Sequence, residues 1–328
     1  MVKNHNLAIK WIKTMKMKRL IILFLSIFIY WQAGAITLVY NMKIRRLFGV
    51  GAGIGRQEKS KLVASAVPIV YQRKRHIIDD RLKIDAFEKS IIGGSLFNFR
   101  YISDKLWWLE ATTGIERETA KYKGSLNFKD SRSGFDDIIL SGGYNIIPTE
   151  KTQLVFYGLA GFPTKTKVTS LESLDTLVGT RFFSLGIGSE VSYSFIKSLE
   201  QSLVGIAQVR FVHFFDRSWS PILPVGSKIQ PGNVTDLLFI LHYRKKKNMF
   251  EVGYNPTFFT NQAAIVNDQT LKSPNFVREG FYFTYSRLFK EFPILKMPGL
   301  IGIGFSVANS KFLDTKIWAC FLNLSVLF

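Results

Sequence analysis

The chain has 328 residues, of which 47% are hydrophobic and 14% aromatic, with 29 Phe against 6 Trp, and 25 Gly. Its mean hydropathy is only +0.11. Beyond the first forty residues no apolar run reaches the roughly eighteen that a membrane helix needs, which excludes a polytopic helical membrane protein. The formal charge is +20, from 44 Lys+Arg against 24 Asp+Glu. These bases are scattered and not gathered on one helix or motif. They therefore read first as the basic loops of a Lys-rich chain flanking a membrane, with attraction to anionic solutes or the phosphates of lipopolysaccharide as the alternative, and no nucleic-acid partner is expected. A single cysteine, Cys320, excludes an intramolecular disulfide and any paired-cysteine metal or redox motif.

Taken in chain order, the first element is a targeting device. Lys16, Lys18 and Arg19 precede the apolar core Leu20–Tyr30, and Ala33-Gly34-Ala35 follows, with small residues at the −3 and −1 positions. That order is the one found in secretory signal peptides, so residues 1–35 are expected to be removed after Ala35. An uncleaved anchor is the competing reading, but the apolar stretch is short for a span. The first 35 residues hold six bases and no acid, leaving 38 bases against 24 acids, a net +14, in residues 36–328. Residues 36–58, including the run Gly49–Gly55, fit no element clearly.

The remainder reads as strands that alternate apolar with small or polar residues, the signature of a transmembrane β-barrel. In residues 181–196, Phe183, Leu185, Ile187, Val191, Tyr193 and Phe195 fall on one face. Ser184, Gly186, Gly188, Glu190, Ser192 and Ser194 fall on the other. The same pattern recurs at 105–118, 248–258, 281–286 and 299–307. In the last segment Trp318, Cys320, Leu322, Leu324, Val326 and Phe328 share a face. An apolar strand ending on an aromatic resembles the signal that hands outer-membrane proteins to their insertion machinery, so Phe328 is the expected insertion signal.

Short connections are expected at 103–105, 148–151, 197–200, 245–247 and 291–298. Long polar ones are expected at 73–88, 119–134, 165–180, 215–233 and 260–277, with a shorter one at 310–314. Long and short alternate, as extracellular loops and periplasmic turns do. The expected fold is thus all-β: an antiparallel up-and-down transmembrane barrel of about 12 strands over residues 36–328. Fourteen strands are the alternative if residues 36–58 add a pair. The expected location is the outer membrane of a Gram-negative cell, reached through the periplasm.

Within this frame lie Gly134-Phe-Asp-Asp-Ile-Ile-Leu-Ser-Gly-Gly-Tyr144, the turn at 148–151, Gly161-Phe-Pro-Thr164 and Gly179-Thr-Arg-Phe-Phe-Ser-Leu-Gly-Ile-Gly188, with a hairpin partner at 200–214. Over about 130–260 this stretch resembles the outer-membrane proteins named for the meta-pathway of phenol degradation, which are regarded as channels for hydrophobic compounds. Phe135 and the paired Asp136 and Asp137 stand where that family has Gly-Asp, and Lys165 stands where Gly would follow Pro-Thr. The resemblance implies a barrel and transport of hydrophobic solutes.

The polar faces carry Asn98, Arg100, Glu110, Glu116, Asp137, Glu190, Arg210 and Glu251, which are expected to line the lumen. Charges inside a narrow barrel must be hydrated or paired. They either brace a filled lumen as ion pairs or set the selectivity of a hydrated pore. In both cases Arg100 and Arg210 are expected to pair with the neighbouring Glu rows. Among His76, His213 and His242, only His213 sits where a rim hydrolase would need a base, and no serine motif, phosphate loop or metal-ligand spacing accompanies it. The leading expectation is a passive channel for small, hydrophobic solutes, without catalysis, cofactor or metal. The alternatives are a structural or adhesive barrel whose basic loops bind lipopolysaccharide and a barrel hydrolase.

Overall fold

The computed structural model describes residues 61–79, 84–104, 106–124, 129–135, 137–146, 149–164, 182–198, 200–218, 228–260, 263–266, 269–272, 275–291, 297–310 and 315–327. Residues 1–35, expected as a signal peptide, with Ala33 and Ala35, the segment 36–58 and Phe328 lie outside them. Among the described residues seventeen strands follow in order. They are β1 (Lys61–Asp79), β2 (Ile84–Ile102), β3 (Trp107–Gly124), β4 (Lys129–Phe135), β5 (Ile138–Ile146), β6 (Thr152–Phe162), β7 (Ser184–Lys197) and β8 (Gln201–Phe214). After them come β9 (Arg217–Ser218), β10 (Lys228–Gln230), β11 (Asn233–Lys245), β12 (Asn248–Thr260), β13 (Ala263–Val266) and β14 (Gln269–Lys272). The last three are β15 (Phe276–Phe289), β16 (Gly299–Ser310) and β17 (Thr315–Leu327).

Thirteen of these form one antiparallel sheet that closes on itself. β1 pairs with β17 from Val63↔Leu327 to Lys74↔Lys316, and β2 pairs with both β1 and β3, which closes the circuit. Closure is what lets strands cross lipid, because every backbone N–H and C=O then finds a partner within the wall. β4 and β5 lie end to end on β3. The rungs Ile115↔Phe135 and Thr112↔Ile139 are three residues apart on β3 and four apart on the other side, which places a one-residue β-bulge between β4 and β5. Counting β4 and β5 as one stave, thirteen strands make a circuit of twelve staves among the described residues. The residues from which a further pair would come lie outside that set.

The connections depart from the sequence reading in one respect. Residues 73–88 and 119–134 were expected as long loops, yet most of them continue the ladder: β1 and β2 pair as far as Asp79↔Ile84, and β3 and β4 pair at Lys121↔Lys129. Their charges had masked an alternation that persists, with Arg73, Glu88 and Ala120 buried on one face while Lys74, Phe87 and Lys121 are exposed on the other. At ~3.3 Å per residue these strands of 18 and 19 residues are roughly 60 Å long, about twice what a tilted strand needs to cross the hydrocarbon. The expected loops 215–233 and 260–277 likewise hold a small antiparallel sheet, β14-β13-β10-β9.

Side chains alternate along most of the wall, with a register shift between Ser194 and Ile196 in β7. Outward residues are large, apolar and exposed, reaching 70% for Ile187 and 61% for Ile303. Two aromatic rows bound this apolar surface. Near the short turns Tyr101 meets Trp107, and Tyr243, Phe250 and Tyr285 follow one another across three strands with ring centroids 6.5 and 5.1 Å apart. Near the long loops Phe162, Phe183 and Phe215 do the same at 5.5 and 5.2 Å. An apolar band between aromatic girdles is the surface a membrane barrel presents to lipid. Cys320 is exposed within it, between Trp318 and Leu322 on β17.

Candidate functional site: the barrel interior

Because a strand alternates with period two, each outward hydrophobe commits its neighbours to the interior. That interior is neither a uniform core nor a uniformly polar channel. Towards the long loops, Arg73 of β1 donates from Nε to Glu88 Oε1 at 3.0 Å and from a terminal nitrogen to Glu118 Oε1 at 2.9 Å. The Ser90 hydroxyl donates to the same Glu88 oxygen. Three adjacent strands thus hold one buried cation between two carboxylates. On the opposite arc, Arg210 of β8 is ion-paired to Asp236 of β11, whose other oxygen accepts the Thr257 hydroxyl at 2.8 Å.

Towards the short turns, Arg100 of β2 pairs with Glu110 of β3 and lies over the Trp108 ring, 5.2 Å from its centroid. Register explains the pairing: Arg100 and Glu110 are direct cross-strand partners. Glu110 also accepts the Ser141 hydroxyl at 3.3 Å. On the far side Glu251 accepts the Tyr282 hydroxyl at 2.7 Å and approaches His242 Nδ1 at 3.4 Å.

Between these polar belts apolar side chains cluster across the interior, with buried Asn145, Glu190 and Gln208 on the same rung as Leu238. Val67, Ile69 and Tyr71 of β1 and Ile92 and Leu96 of β2 share one buried cluster with Val204 and Ile206 of β8 and Leu238 and Ile240 of β11. β1 and β8 stand six staves apart on the circuit, so this cluster spans the interior. A second cluster joins Val63, Ile102, Trp108, Tyr157 and Val212. There the Trp108 and Tyr157 rings lie 6.2 Å apart, and Tyr157 accepts a hydrogen bond from Gln208. Where a bulky ring crosses the interior, the wall beneath is glycine: a Cβ on Gly253 would collide with the Tyr282 ring, and one on Gly188 with Tyr157.

Of the residues singled out from the sequence, Asn98, Arg100, Glu110, Asp137, Glu190, Arg210 and Glu251 are buried on the inner side of their strands. Asn98 donates to Thr112 Oγ1 at 2.9 Å. Asp137 sits at the β4–β5 bulge and accepts the Thr164 backbone N–H at 3.4 Å. Glu116 is in register with Gly94 and Gly134, and its side chain is outside the described residues. Arg100 meets a Glu as expected, whereas Arg210 meets Asp236. Arg73 and Glu88 escaped the sequence reading because they fall in the stretch expected as a loop, and Glu118, at the end of the strand expected over 105–118, was not singled out. The persisting two-residue alternation there was the signal that would have found them. His213 points outward, its Nδ1 2.7 Å from Asn233 Oδ1 and its ring against Phe215. His76 lies on β1 beside Asp85 at 2.7 Å, stacked on Phe87.

Among solved structures, an outer membrane channel from Pseudomonas putida F1 superposes on 83% of this chain and 97% of its own, with a TM-score of 0.55 at 9% identity. The fold is that of an outer-membrane barrel. The translocator domain of the autotransporter NalP from Neisseria meningitidis (TM-score 0.46, 11% identity, 82% of this chain and 89% of its own) is a more distant likeness. So is the β-domain of the Bordetella autotransporter BrkA (0.45, 10%, 83% and 100%). No protein-family model matches the sequence, and no curated protein does.

Proposed function

We propose that this protein is a passive channel of the outer membrane for small, uncharged, hydrophobic solutes. The observation that carries the reading is the pairing of interior charge. Arg73, Arg100 and Arg210 each face a carboxylate in the wall, and between the polar belts lie two clusters of Ile, Leu, Val, Tyr and Trp. A filter for ions presents rings of unpaired charge or carbonyls to the permeating species. Interior charges held in pairs, as these three arginines are, offer an ion no such compensation for its lost hydration, while an apolar solute needs none. The resemblance of residues 130–260 to the meta-pathway family of outer-membrane channels points the same way, as does the fold shared with the Pseudomonas putida channel. His213 supports no hydrolase reading, since its ring faces an amide oxygen on the outer wall.

Planar-bilayer recording tests the proposal. Ionic current near background is expected for the native protein, with a rise when Tyr71 and Tyr282 are both replaced by Ala. A large native current would instead mark a hydrated ion pore. The apolar cluster that joins β1 to β8 across the interior favours a second reading, a structural barrel with a filled lumen whose basic loops engage lipopolysaccharide. Residues 1–35 as a cleaved signal peptide, Phe328 as the insertion signal and delivery by the barrel-insertion machinery belong to the same proposal.

A further inference from the structure

The outer wall over β7, β8, β11 and β12 is not smooth. Gly205 and Ala207 of β8 are small residues in an otherwise bulky surface, and they floor an apolar groove of about 570 Å³. Tyr193 and Phe195 bank it on one side and Phe239 and Leu241 on the other. Strand register fixes what lies below. The next outward rung towards the short turns is Leu203–Tyr243–Phe250–Tyr285, and the one beyond it is Gln201–Lys245–Asn248–Arg287. Lys245 and Arg287 are both exposed and flank Asn248, whose Oδ1 accepts the Tyr285 hydroxyl at 2.9 Å. Lys246 and Lys247, also exposed, form the adjoining turn, in which Lys246 takes the left-handed φ of 54° and donates its N–H to the Glu200 carbonyl. From Leu241 at the groove to Lys245 is four residues, about 13 Å along the strand.

A groove in the lipid-facing band, an aromatic rung below it and a doubly basic rung below that reproduce the order of a phospholipid: acyl chain, interfacial region, phosphate. We propose that this wall binds one anionic phospholipid of the leaflet at the short-turn end, with its phosphate between Lys245 and Arg287 and one acyl chain laid along Gly205 and Ala207. The short turns mark the periplasmic leaflet, where phospholipid is the available anionic lipid. The inference does not depend on what crosses the interior.

Native mass spectrometry of the whole purified barrel, incubated in detergent with equal amounts of phosphatidylglycerol and phosphatidylethanolamine, tests it. The native protein is expected to retain one lipid, with phosphatidylglycerol preferred. K245A/R287A should reduce that preference roughly tenfold, since each surface base contributes attraction to anionic lipid. Ala207→Trp, which fills the groove from the outside, should lower retention of both lipids while the folded barrel's electrophoretic mobility stays unchanged. An unaltered preference in K245A/R287A would overturn the phosphate assignment, and undiminished retention in Ala207→Trp would overturn the groove.

Discussion

Replacing Arg100 with Met should destabilise the barrel by about 3–5 kcal/mol, because it leaves a buried carboxylate without the cation that faces it. Arg100 is 1% exposed and Glu110 8%, so water compensates for neither. The substitution also removes the guanidinium from the Trp108 ring, a contact worth roughly 0.5–2 kcal/mol. Volume is nearly conserved, so little of the loss comes from a cavity. The double variant R100M/E110Q should recover most of the deficit, since the uncompensated charge goes with its partner. The assay is urea titration of the refolded protein, followed by the mobility difference between folded and heat-unfolded barrel on electrophoresis. A single variant as stable as the native protein would refute the reasoning. So would a double variant as unstable as the single, which would mean that packing and not charge sets the cost.

Other consequences follow from the same wall. Ile187→Lys places a charge in the middle of the lipid-facing band and should cost about 2–4 kcal/mol in urea titrations performed in lipid, whereas Ser192→Ala on the inner face should cost far less. Gly253→Val forces the Tyr282 ring off the wall and breaks its hydrogen bond to Glu251, for a loss of roughly 1–3 kcal/mol in the same titration. Cys320 should react in intact proteoliposomes with a membrane-permeant maleimide and resist a charged one. Equal labelling by both would place that face of β17 in water.

The architecture was legible in the sequence because a two-residue period is a strong signal wherever one face meets lipid. In β7 the two faces written down from Phe183 to Phe195 are the exposed and buried faces of the strand. In β17 the row Trp318, Cys320, Leu322 faces outward while Ile317, Ala319 and Phe321 are buried. The signal weakens where strands leave the membrane. Outward Lys74 and Lys121 then look like loop residues, and Arg73 and Glu88 of the ion-pair centre vanished into an expected loop for that reason, while Glu118 stood at the end of an expected strand with no partner legible from local pattern. Alternation assigns a face to a residue but not a register to a pair of strands. Arg100 and Glu110 are separated by a short turn, so their meeting was within reach. Arg210 and Asp236 meet across a connection of about 18 residues, and only the observed register joins them. The apolar clusters crossing the interior come from strands on opposite sides of the circuit, which no local pattern reveals.

The most direct test of the account is solute flux into vesicles whose outer leaflet is lipopolysaccharide, a barrier that slows hydrophobic compounds. The refolded barrel should accelerate uptake of a small aromatic hydrocarbon such as toluene and leave uptake of benzoate, a charged molecule of similar size, near that of protein-free vesicles. Acceleration of both would contradict an interior closed to charge, and acceleration of neither would show a barrel whose apolar clusters seal it.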